Sequence, residues 1–236
     1  MFVVELGRVL HLQSLLERNF VNIKSYEVNL VELQEGKPMD RSITLGAAQM
    51  LGVPHPRYSR THVPVTMTLD FVLTQKNPDG STSKAAYDVK PEEELLDPRV
   101  REKLSLHRAY CAHIRMPHYL FTEKSAPRMY ARNIDWLRCS RQKPNELLPV
   151  ADMFTRHPRV MLSELSSTQR QMSIRQYCID YDQRHGVKPG SGLRVFKHLI
   201  WLHCIRVDLT VRDVTSLRLP APSSIKFVSR HGLNLA

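Results

Sequence analysis

The chain has 236 residues, 42% apolar and 24% charged, which is enough to bury a core and too apolar for a disordered polypeptide. Its 34 Lys and Arg against 23 Asp and Glu give a net charge of +11 and a pI of about 9.7. That balance points to a polyanionic partner, because basic side chains displace counterions from phosphates.

Ser14-Leu15-Leu16-Glu17 opens a helix with Leu16, Phe20 and Ile23 on one face. Tyr26 to Leu33 alternates like a strand, and a polar stretch rich in turn residues follows from Gln34 to His62. Val65, Met67, Leu69, Phe71 and Leu73 then alternate with Thr66, Thr68, Asp70, Val72 and Thr74, the period of a strand. The turn signal Asn77-Pro78-Asp79-Gly80 leads into a second strand from about Lys84 to Lys90, so the two read as an antiparallel hairpin. Asp97-Pro98 starts a helix through Val100, Leu104, Cys111 and Ile114, which Pro117 stops. His118 to Thr122 is a short strand, and a helix runs from about Pro127 to Cys139. This order implies an α/β domain, a mixed sheet with flanking helices, over residues 1–140.

Residues 141–149 hold two prolines and little apolar periodicity, so they read as a linker. In a second domain, 150–236, a helix near Met172–Arg184 and a Gly/Pro break precede a helix carrying Leu193, Phe196, Leu199 and Ile200. Strand-like Ile205–Val211 and Ile225–Val228 complete the outline of a winged helix. Residues 140–236 hold 15 basic and 7 acidic residues, so most of the positive charge lies there.

Cys111, Cys139, Cys178 and Cys204 lie far apart with no CxxC pair, and no signal peptide or long apolar run is visible. The expectation is a cytoplasmic protein with free thiols and no zinc site. The eleven histidines show no HxxxH or HExxH spacing and read as scattered surface or core residues.

The chemistry concentrates at Asp88-Val89-Lys90. Residues two apart on a strand project to one face, so the Asp88 carboxylate and the Lys90 ammonium sit side by side. Asp70 lies on the partner strand, and two carboxylates on adjacent strands suit a hard divalent cation, Mg²⁺ or Mn²⁺. Such an ion activates water and offsets charge on a phosphate, while Lys90 orients the water or stabilises the developing charge. Glu17 is a candidate third carboxylate, although taken alone it fits better as a helix-capping partner of Ser14, a role that can coexist with the first. A second match to the acidic-x-Lys pattern, Glu35-Gly36-Lys37, falls in the polar stretch and reads as chance; Glu92-Glu93-Glu94 reads as a solvated acidic turn.

The run Val9-Leu10-His11-Leu12-Gln13-Ser14-Leu15-Leu16-Glu17, then Thr68-Leu69-Asp70-Phe71 and Asp88-Val89-Lys90-Pro91, resembles the catalytic segments of the TnsA family of transposon-end endonucleases. Glu102-Lys103-Leu104, Arg108, Tyr110, Met116-Pro117, Phe121-Thr122 and Asn133-Ile134-Asp135-Trp136-Leu137 extend the likeness over roughly residues 8–138. The resemblance implies a restriction-endonuclease-like fold with Glu17, Asp70 and Lys90 in catalytic places. Asp88 stands where the family commonly has glutamine, and the Val89 carbonyl is implied as a further metal ligand. It also implies cutting of the 5′ (non-transferred) strand at DNA transposon ends, beside a TnsB-like transposase and a TnsC-like AAA+ ATPase. Two alternatives share these residues: a stand-alone restriction or repair nuclease, and a non-catalytic DNA-binding adaptor.

Overall fold

The computed structural model describes residues 1–3, 6–27, 29–143, 145–150, 152–167 and 171–227. The chain divides into two units, Met1–Ala126 and Pro127–Ala236.

In the first unit, short strands β1 (Phe2–Val3) and β2 (Arg8–Val9) pair with each other, and α1 (Leu15–Glu27) follows. The main sheet orders β3 (Leu30–Pro38), β4 (Thr68–Lys76), β5 (Thr82–Val89) and β6 (His118–Phe121) side by side. The first two pairings are antiparallel, and β5–β6 is parallel, so the sheet is mixed as expected. The parallel return is made by a 3₁₀ turn (Glu92–Leu96) and α3 (Pro98–His113), capped by Asp97 with Pro98 in its first turn. Strand alternation gives the sheet two apolar faces. One face meets α1, where the Phe20 ring lies 5.0, 5.0 and 5.3 Å from those of Phe71, Tyr87 and Phe121. Elsewhere Val72 and Ala86 pack with Leu106 and Cys111 of α3 and Ala47 and Ala48 of α2 (Arg41–Leu51).

The expected hairpin is present, but its surroundings differ from the sequence reading. The strand placed at Tyr26–Leu33 begins only at Leu30, because α1 continues through Glu27. The polar stretch is turn and irregular chain chiefly after Leu51. Before that it completes β3, in which Glu35 binds Arg8 at 2.6 Å, and then forms α2 between an Asp40 cap and Gly52 at φ +65°.

The second unit is helical: α4 (Arg128–Arg138), α5 (His157–Ser167), α6 (Ile174–His185) and α7 (Ser191–Trp201). The domain boundary therefore falls at 126/127 rather than 140, because α4 belongs with the second unit. Its Asn133 Nδ2 donates to the carbonyls of Leu209 and Val211, both at 2.8 Å. The segment 141–149 is not a free linker either, since Arg194 on α7 donates to the carbonyls of Ser140 and Arg141 and pairs with Glu146. The turn between α6 and α7 is fixed by Asp182, whose carboxylate accepts the N–H groups of Gly190 and Gly192 at 2.6 Å.

No wing hairpin forms among the described residues. Ile205–Val211 is irregular, with the Leu209 and Val211 carbonyls accepting from Asn133, and 3₁₀ turns occupy Val214–Ser216 and Pro222–Ser224. The end of the second predicted strand, Val228, lies outside the described residues. Nor does α7 present a recognition face: Val195, Phe196, Lys197, Leu199, Ile200 and Trp201 are all buried.

Candidate active site

Asp70 lies just beyond the last β4–β5 pair, Phe71 with Tyr87. There its side chain takes the place of a backbone acceptor: Oδ2 accepts the Val89 N–H at 2.9 Å and the Lys90 ammonium at 3.0 Å. Among the described residues no hydrogen bond reaches its other oxygen, Oδ1. Lys90 is anchored through its own N–H, which donates to the Phe121 carbonyl at the end of β6. Burial pulls the Lys90 ammonium down, but Asp70, with Asp88 and Glu94 behind it, outweighs this and holds it above its ordinary value. Lys90 is therefore a fixed cation at neutral pH, suited to holding a water or a phosphate oxygen and not to accepting a proton.

The pair opens onto a cavity of about 350 Å³ that also takes in Thr68, Glu94, Lys103 and His107. Two carboxylates and two ammoniums thus line one water-accessible space. A hard dication fits the half-buried Asp70 carboxylate, whose Oδ1 is open, and Glu94 brings a second oxygen donor to the same cavity. Glu92–Glu94 form a solvated 3₁₀ turn after Pro91, as expected, and the exposed Glu94 also borders the cavity. The run of three acids gave no sign of which would do so.

Asp88 behaves differently from the expectation that it shares a cation with Asp70. It is fully buried, and its carboxylate is taken by two histidines. His107 Nδ1 lies 2.9 and 2.8 Å from its two oxygens, and His118 Nε2 lies 2.7 Å from Oδ2. Burial would push this carboxyl up, but the two imidazoles override it and hold it well below the usual carboxylate range. The Cys111 thiol, one turn beyond His107, is pushed up to about 11 by burial and then by the Asp88 charge. The reading of the histidines as scattered residues is therefore corrected for this pair. A usable signal was present: His107 occupies the core-facing stripe of α3 between Leu104 and Cys111, where an imidazole needs a partner.

Glu17 does not line the cavity. It sits in the first turn of α1, its carboxylate accepting the Gln13 N–H at 2.7 Å while Ser14 Oγ accepts the Glu17 N–H at 3.1 Å. The capping alternative is thus realised, shifted by one residue from the usual reciprocal pair. Glu35-Gly36-Lys37 stands on β3 apart from these groups, with Glu35 committed to Arg8.

Comparison with known proteins bears on both units. Residues 28–123 match the family described as TnsA-like endonuclease N terminal, and residues 126–209 match TnsA endonuclease C terminal. The join between the two matches falls at the boundary between the structural units. The Transposon Tn7 transposition protein TnsA of Escherichia coli is 34% identical over 131 residues, which are 56% of this chain and 46% of that protein. The matched stretch thus spans less than half of the curated relative. With both halves matched in order and the mixed sheet in place, the chain belongs to the TnsA-like endonuclease family.

Proposed function

We propose that the protein is a divalent-metal-dependent DNA endonuclease that cuts the 5′, non-transferred strand at transposon ends, acting with a TnsB-like transposase and a TnsC-like AAA+ ATPase. The observation that carries this reading is the 3.0 Å pair of Lys90 with Asp70, at the mouth of a cavity where the carboxylate keeps a free oxygen. In this reading Asp70 and the Val89 carbonyl hold Mg²⁺ or Mn²⁺, and Glu94 adds an oxygen from the cavity wall. Bound there, the ion supplies charge for the attacked phosphate and acidifies its water. Lys90, a fixed cation beside Asp70, would orient the attacking water or a non-bridging phosphate oxygen, and its charge would be stabilising where negative charge develops. Lys103, across the cavity, positions a neighbouring phosphate. Glu17 enters as a third carboxylate on the family resemblance alone. Asp88 serves the site indirectly, through the backbone it shares with Val89 and Lys90.

The test is strand-specific cleavage of transposon-end DNA by the full chain with its matching transposase, in Mg²⁺ and in Mn²⁺. Asp70→Asn and Lys90→Ala should each lower cleavage by about 100-fold or more, while binding of end DNA stays within a few-fold. Cleavage by the chain alone at physiological salt would favour a stand-alone nuclease. Unchanged cleavage by either variant would remove this site from the mechanism.

A further inference from the structure

We propose that Asp88, His107 and His118 form a binding site for a borderline transition-metal dication of the Zn²⁺ type, separate from the Mg²⁺ site built on Asp70. Three elements converge to make it: the end of β5 supplies Asp88, the middle of α3 supplies His107, and the first residue of β6 supplies His118. Their ligating atoms all lie within 4.8 Å of one another. Side chains from three separate elements do not converge on one point through local sequence alone, so the arrangement is a product of the fold.

The chemistry of the donors decides the class of ion. Two imidazole nitrogens and one carboxylate oxygen suit Zn²⁺, Co²⁺ or Fe²⁺ and are poor ligands for Mg²⁺ or Ca²⁺. Charge argues the same way. Asp88 is a fully buried carboxylate, a group that is costly to bury without a compensating positive charge. A dication would supply that charge and be ligated by both imidazole nitrogens. Ligands around a tetrahedral zinc lie about 3.3 Å apart, so the present separations of 2.7 to 2.9 Å would open by about 0.5 Å. Three protein ligands leave a fourth position, and His107 lines the cavity of Asp70 and Lys90, which gives an ion a route in. Held there, the ion would pin β5, α3 and β6 together beneath Val89 and Lys90.

The test needs no cleavage assay, so its outcome is independent of the nuclease reading. The purified full chain is stripped with chelator, reloaded with Zn²⁺ or Co²⁺, and its metal content and cobalt d–d absorption are measured in excess Mg²⁺. The expected result is about one ion per chain, undisturbed by millimolar Mg²⁺, and a clear rise in melting temperature on loading. X-ray absorption of the zinc form should show imidazole nitrogen bound directly to the metal. The variant His107→Gln/His118→Gln keeps hydrogen-bond donors for Asp88 and should lose about 100-fold or more in affinity. Failure of the wild-type chain to retain metal, a coordination sphere without imidazole, or undiminished affinity in the double variant would each overturn the proposal. Should the variant fail to fold, the stoichiometry and spectrum of the wild-type chain decide.

Discussion

Asp70 and Asp88 are the same residue type one strand apart, and their surroundings give them different work. Asp70 spends one oxygen on Val89 and Lys90 and leaves the other toward water, whereas both oxygens of Asp88 are consumed in the interior. Glu17 poses the sharper question, because its structural use and its proposed chemical use predict different mutational behaviour. Ser14→Ala removes only the acceptor for the Glu17 N–H and should cost about 1 kcal/mol in denaturant unfolding, with cleavage by the folded protein unchanged. Glu17→Gln keeps an acceptor for the Gln13 N–H but removes the charge. A catalytic Glu17 should then lose about 100-fold in cleavage at nearly constant stability; cleavage within a few-fold of wild type would confine Glu17 to the cap. Lys197 offers a residue-scale test in the second unit. Burial pushes its ammonium down to about 8, and the Trp136 ring lies 4.3 Å from it. Between about pH 8 and the ordinary 10.5 the unfolded chain holds a proton that the folded chain lacks, so this group makes stability rise with pH across that window. Lys197→Met should flatten that rise and add about 1–3 kcal/mol at pH 7, read from urea midpoints. A loss of stability would show that the cation–π interaction outweighs burial.

At the scale of elements, what the sequence discloses is what local periodicity can encode. The β4–β5 hairpin and α3 are visible because alternation, the Asn77–Gly80 turn and the Asp97-Pro98 cap all agree. The helix α2 is not, since Gly46 interrupts its apolar face and proline and glycine crowd its far flank; only the Asp40 and Gly52 caps mark it. The wing expected at Ile205–Val211 has the alternation of a strand but no partner strand among the described residues, and a side chain far away in sequence, Asn133, takes two of its carbonyls. In the same way strand spacing brings Asp70, Asp88 and Lys90 into one neighbourhood but sets Lys90 beside Asp88, whereas Lys90 pairs with Asp70, and His107 and His118 meet Asp88 only through the crossover from α3 to β6. The α6–α7 turn shows how tightly such tertiary packing is set. A Cβ at Gly192 would lie 2.8 Å from the Cys178 carbonyl and 3.0 Å from the Asp182 carboxylate, which must stay in place to accept two N–H groups. Gly192→Ala should therefore cost about 1–3 kcal/mol by denaturant midpoint, since the clash falls on backbone that cannot yield cheaply. A neutral result would mean that α7 slides without penalty.

For the whole molecule, redrawing the boundary at 126/127 redistributes the charge. Residues 127–236 carry 18 basic and 8 acidic side chains, a net +10, which leaves the sheet-bearing unit at only +1. The proposed cutting site thus sits on a nearly neutral body, and nonspecific attraction to DNA is expected from the other unit. Within it Arg194 and Lys197 are spent on internal interactions. Arg206, Arg212 and Arg218 are exposed and, among the described residues, form no ion pair. If these side chains meet phosphates, the full chain's DNA affinity should fall steeply with salt. Changing all three to Gln should then lower the slope of log K against log salt by about 0.9 for each phosphate that is no longer neutralised. Cleavage rate at saturating DNA should stay within a few-fold, because none of the three lies in the unit that holds Asp70 and Lys90. An unchanged slope, with binding to the ATPase partner weakened instead, would assign this positive surface to protein docking and leave DNA capture to the transposase.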